Sequence, residues 1–62
     1  MRYRDAKRLQ NGDQIIRKED KVVFVIKEIE IFPSQKTVRF NCVPYLYETG
    51  GAWTSLYQNE VE

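Results

Sequence analysis

The chain has no histidine. It therefore lacks the side chain that titrates near neutral pH, the Ser-His and Cys-His nucleophile pairs, and nearly every zinc ligand set. A lone cysteine, Cys42, forbids an internal disulfide. Its neighbours read as strand, and a buried free thiol fits a reducing, cytoplasmic setting. The longest apolar run, Val22 to Ile26, is far shorter than the ~20 residues a spanning helix needs, so no membrane segment is expected. Met1-Arg2-Tyr3-Arg4-Asp5 has none of the apolar core of a signal peptide. The carboxylates lack calcium-loop spacing, and Gly50-Gly51 has no phosphate-loop context. Neither catalysis, nor a cofactor, nor a small-molecule substrate is expected.

What is present suits one small folded unit, residues 1–62, with 42% hydrophobic, 13% aromatic and 31% charged residues. Ordering a chain of this size costs on the order of 90 kcal/mol, at ~1.5 kcal/mol per residue, so nearly all its apolar residues must be buried. Aromatic side chains left on the surface would then be informative. The net charge of +1 is uneven. Residues 1–21 hold seven basic and four acidic side chains, whereas residues 22–62 hold three basic and five acidic. A basic N-terminal third points mildly towards an anionic partner.

Eight of the eleven residues from Val22 to Phe32 are β-branched or aromatic, which predicts a strand. Its pattern changes phase. Phe24 and Ile26 share one face, as do Ile29 and Ile31, but an odd step separates the pairs. A bulge or bend at Lys27-Glu28 would let both pairs point inward. Gln14 to Lys18 reads as a short preceding strand after the turn signal Asn11-Gly12-Asp13. Pro33-Ser34-Gln35-Lys36 is the next turn. From Thr37 to Val43 the chain alternates, with Val38, Phe40 and Cys42 inward and Thr37, Arg39 and Asn41 outward. Ala52 to Leu56 reads as another strand, and Tyr57 to Glu62 as a 3₁₀ turn with a last short strand. Tyr3, Ala6 and Leu9 fit one helical face, so residues 1–8 are either a helical turn or a loose arm.

The run Leu9-Gln10-Asn11-Gly12-Asp13-Gln14-Ile15, followed by the Val23–Ile29 segment, is similar to the opening of many SH3-like barrels. The tail Leu56-Tyr57-Gln58-Asn59-Glu60-Val61 resembles the 3₁₀ turn and closing strand of that fold. The resemblance implies an all-β protein, a small five-stranded SH3-like barrel with a long bent second strand, and no particular activity. The whole chain also resembles short stand-alone proteins of bacteria and their phages. It departs from the proline-peptide-binding SH3 domains: the Ala-Leu-Tyr-Asp-Tyr opening is absent, and Trp53 lies in a late strand.

Two groups are candidate binding residues. Tyr45, Tyr47, Trp53 and Tyr57 share a hairpin if residues 43–47 pair with 52–57 around the Gly turn. Such residues give large contact area with few rotors, which suits a protein-binding or self-associating surface. The plainer account makes Trp53 the main core residue and lets the tyrosines cover the barrel end. The second group is Arg2, Tyr3, Arg4, Lys7 and Arg8, joined by Arg17, Lys18 and Lys21 if the first hairpin folds back. It could hold phosphates and stack a base, as nucleic-acid binders do, or simply keep a small barrel soluble. Glu28 and Glu30 share a strand face, which reads as a solvated outer surface.

Overall fold

The computed structural model describes residues 1–47 and 49–62. The β-branched density of Val23–Phe32 produces a ten-residue strand, β2, and β3 is the alternating run Thr37–Pro44. A short β1, Gln14–Ile16, pairs with the start of β2, and β4, Thr54–Tyr57, pairs with β3. All neighbours are antiparallel, in the order β1-β2-β3-β4. The protein is thus predominantly β, built on one open four-stranded sheet. The expected fifth strand amounts to one bridge, Arg17 with Val61, because the segment after β4 spends Gln58–Glu60 in a 3₁₀ turn. Around the bridge, the Lys18 N–H donates to the Glu60 carbonyl and the Glu62 N–H to that of Ile16, each at 2.9 Å.

The bulge falls where the phase change predicts it. Ile26 pairs with Cys42, but Glu28 pairs with Asn41, so Lys27 is the extra residue. This step sets Ile29 opposite Phe40 and keeps the inner face apolar on both sides of the bend. Phe24, Ile26, Val38, Phe40 and Cys42 are buried there, together with Ile15 and Leu56. Ile29 packs at the margin of this core, but Ile31 is 44% exposed. Ile31 takes the inner-face position expected of it, opposite Val38, but stays exposed at the end of the sheet.

Residues 1–8 contain a helical turn rather than a loose arm. α1, Tyr3–Ala6, buries Ala6 completely in the sheet's inner face, with Tyr3 and Leu9 packed beside it as the three-residue spacing requires. The Met1 ammonium donates to the carbonyls of Gln58 (3.1 Å) and Val61 (2.8 Å), joining both ends of the chain over that face. Val61 is fully buried and completes the core. Gln58 ties the 3₁₀ turn back to β3: its side-chain oxygen accepts from the Val38 N–H at 2.5 Å, and its amide donates to the Lys36 carbonyl at 2.9 Å.

Gly12 sits at φ 97°, where a side chain is strained, and donates to the Ile26 carbonyl at 2.8 Å. It carries the chain into β1 against the bulged part of β2.

Replacing Val61 by Ala should lower unfolding free energy by roughly 2 kcal/mol, from two lost methyl groups and an incompletely collapsed cavity. Ile31→Ala, on the same face but exposed, should cost less than half as much. Urea denaturation of both variants compares them; equal losses would mean that Val61 does not plug the core.

Candidate functional site

The candidate aromatic residues lie on two different structural features. β3 ends at Pro44, Tyr45–Tyr47 forms a 3₁₀ turn, and β4 starts only at Thr54. The expected pairing of residues 43–47 with 52–57 is therefore incorrect: β4 pairs with Arg39 to Cys42 instead. Pro44 stops the ladder by lacking an N–H. Tyr45–Tyr47 and residues 49–53 lie between the two strands, and Gly51 is sterically required there. A Cβ on Gly51 would lie 2.7 Å from the Tyr47 carbonyl oxygen, the atom that accepts the Gly51 N–H.

This loop exposes apolar surface that the core does not absorb. Tyr45 is 50% exposed, Tyr47 65% and Trp53 56%. The account of Trp53 as the main core residue is overturned, because that place belongs to Phe40, which is fully buried at the centre of β3. Leu46, which the pattern of the chain did not single out, is 83% exposed between the two tyrosines. Its signal was its position directly after Pro44-Tyr45, where the strand alternation that would bury it has already ended.

Tyr57, 38% exposed, lies apart from the loop on the outer face of β4. The outer face carries a polar ladder made by the bulge, which places Glu30 opposite Arg39. The Arg39 Nε donates to Glu30 Oε2 at 2.5 Å, and the Asn41 amide donates to the same oxygen at 3.2 Å. Ser55 Oγ donates to Asn41 Oδ1 at 2.7 Å, while the Arg39 guanidinium stands 5.8 Å from the centre of the Phe32 ring. Hydrogen bonds from Arg39 and then Asn41 hold the Glu30 carboxyl below its ordinary range, and those to Glu30 and Tyr57 raise Arg39. Glu30 is thus a partner in this network.

The strand register puts the Arg17–Val22 turn and the 45–53 loop at the same end of the sheet: Ile16 faces Val23, Phe24 faces Pro44 and Cys42 faces Thr54. The basic residues of that turn are partly neutralised. Arg17 makes a bidentate pair with Asp20, at 3.0 and 2.6 Å, and also stands 4.9 Å from the Phe24 ring centre. The hydrogen bond between the two side chains, their largest influence, lowers the Asp20 carboxyl and raises Arg17. Lys21 pairs with Glu62.

Through Met1 and Val61, the N-terminal segment reaches the base of this hairpin. Arg2, Arg4, Lys7 and Arg8 are exposed along α1 and just after it, as is Lys18 on the turn. None of these five forms an ion pair among the described residues. Tyr3, however, turns its ring towards the core margin, with Lys7 Nζ 5.0 Å from the ring centre.

Cys42 is fully buried, with its sulfur 3.6 Å from the Thr54 carbonyl, and burial pushes the thiol up to about 11. At neutral pH it is a core side chain rather than a nucleophile. Among the described residues, no group of three or more metal-ligating side chains gathers, and no helix is long and apolar enough to cross a membrane. No protein-family model matches the chain, and no curated protein or solved structure matches it significantly.

Because the Glu30 carboxyl is lowered by folding, its contribution to stability is present above the ordinary value of 4.5 and is lost as pH falls through the folded value. Carboxylate NMR should therefore place the Glu30 midpoint below 4.5, and Arg39→Gln should move it back upward. An unchanged midpoint in that variant would refute the pairing. Gly51→Ala should shift amide resonances of residues 45–53 and leave those of β1–β3 in place, as a heteronuclear spectrum would read.

Proposed function

We propose that this chain is a non-enzymatic binding module that captures a protein partner through its 45–53 loop. We further propose that the scaffold is a reduced SH3-like barrel, in which the Arg17–Val61 bridge stands where that fold places its closing strand. The observation that carries the binding reading is the exposure of Tyr45, Leu46, Tyr47 and Trp53 on one loop, by half or more of each side chain. In so small a chain, apolar surface withheld from the core weakens folding, at ~25 cal/mol per Å² left in water. Aromatic residues presented on a loop are the common anchors of protein interfaces.

A second reading is nucleic-acid binding through Arg2, Tyr3, Arg4, Lys7 and Arg8 with Arg17, Lys18 and Lys21. The exposed cations that make no ion pair among the described residues favour it. Against it stand Asp20 and Glu62, which hold Arg17 and Lys21, and the inward tilt of the Tyr3 ring.

The test of the first reading is selection of a displayed random-peptide library against the folded protein. Wild type should enrich binders, and Tyr45→Ser with Tyr47→Ser should weaken each by roughly tenfold or more per residue, with an unchanged sheet spectrum. Binders that ignore both substitutions would sink the loop as the site. For the second reading, amide NMR with short single- and double-stranded nucleic acid should show shifts on residues 2–8 and 17–21 that fade as salt rises. A silent or salt-insensitive titration excludes it.

A further inference from the structure

The two edges of the sheet are treated differently. The end of β1 is covered by the hydrogen bond from the Glu62 N–H to the Ile16 carbonyl, with Lys18 bonded to Glu60 just beyond it. β4 is the other edge, and Thr54–Tyr57 itself carries no charge, proline or bulge of the kind that usually protects an edge strand; the Glu60 carboxylate caps only its Tyr57 N–H. Two hydrogen bonds reveal which of its backbone groups face outward. The Val38 N–H points to Gln58, on the β4 side, so Phe40 and Cys42 bond Leu56 and Thr54 by the two-residue alternation. Consistently, the Tyr57 N–H is turned away from β3, to Glu60 Oε1 at 3.1 Å. The N–H and C=O of Ser55 therefore point out of the sheet.

We propose that this edge pairs with β4 of a second copy, antiparallel about a two-fold axis at Ser55, to form a continuous eight-stranded sheet. The strand is self-complementary in that arrangement. Ser55 meets Ser55 and exchanges two main-chain hydrogen bonds with it. Trp53 of each copy lies opposite Tyr57 of the other, so both aromatic residues lose exposed surface. No like charges oppose one another, because Trp53 to Tyr57 contains none. The Trp53 N–H can also donate to the Tyr57 carbonyl of the other copy without displacing Glu60.

The area sets the strength. Four half-exposed rings at ~200 Å² each contribute roughly 400 Å², well short of the ~1,200–2,000 Å² of stable interfaces. The dimer is accordingly weak and concentration-dependent. This inference deepens the binding reading and rests on it only for Trp53 as a contact residue; Tyr45 and Tyr47 take no part.

Sedimentation equilibrium from about 10 µM to about 1 mM tests it. The apparent mass should climb from 7.4 kDa towards twice that value. Ser55→Lys should stay monomeric throughout, and an equimolar mixture of Ser55→Lys with Ser55→Glu should associate again, because each charge then faces its opposite. In wild type, exchange of the Ser55 amide should slow as concentration rises, a measurement independent of whether any variant folds. A constant 7.4 kDa mass with concentration-independent exchange overturns the proposal. Undiminished self-association of Ser55→Lys, or failure of the mixed pair to associate while both variants are folded, overturns it too. None of these failures bears on peptide binders lost with Tyr45 and Tyr47, so the two readings fail separately.

Discussion

The extra residue at Lys27 is the constraint on which the rest of the sheet depends. β3 alternates without interruption, so its inner residues Val38, Phe40 and Cys42 need partners that stay on one face of β2. The apolar residues of β2 change phase between Ile26 and Ile29. Without the bulge, the second half of that strand would turn Ile29 and Ile31 outward and bring Glu28 and Glu30 against the core. With it, Ile29 meets Phe40 inside and Glu30 meets Arg39 outside. One inserted residue thus decides both the hydrophobic seam and the polar ladder. The added twist also curls β2 around the face that α1 and Val61 seal.

That sealing explains why so little chemistry is left inside. The concave face is occupied by Ala6, by Val61 and by the margins of Tyr3 and Leu9. The buried thiol of Cys42 is surrounded by apolar neighbours and is pushed away from ionisation. What remains open lies at the sheet's end and on its outer face: the 45–53 loop, and the Glu30–Arg39–Asn41–Ser55 network. The network satisfies its own polar groups, so it rigidifies the strands. Tyr45, Tyr47 and Trp53 of the loop stay exposed by half or more.

The strands were legible in the chain because their signals are local. Val38, Phe40 and Cys42 declare β3 by alternation alone, the odd step between Ile26 and Ile29 declares the bulge, and the spacing of Tyr3, Ala6 and Leu9 declares the helical turn. The candidate site was legible only in composition. That Tyr45, Tyr47 and Trp53 exceed what the core absorbs followed from size, but their placement depended on where β3 stops. Pro44 ends the ladder, residues 45–47 continue as a 3₁₀ turn, and the Tyr47 carbonyl then accepts from the Gly51 N–H, a close approach that strand alternation does not encode. Trp53 illustrates the same limit. Its size favours burial, yet the core already holds the rings of Phe40, at the centre of β3, and Phe24.

Charge follows a similar logic, since sequence position misjudges electrostatic neighbourhood. The excess of basic residues in the first third of the chain suggests a continuous cationic surface. Folding brings acidic residues to it from both near and far: Asp20 lies three positions from Arg17, whereas Glu62 lies forty-one from Lys21. The same bridge that joins Val61 to Arg17 delivers Glu62 to that turn, so closing the core and neutralising the hairpin are one structural event. Arg2, Arg4, Lys7, Arg8 and Lys18 make no ion pair among the described residues. An anionic ligand would therefore meet a ring of exposed side chains around the N-terminal turn instead of a basic hairpin.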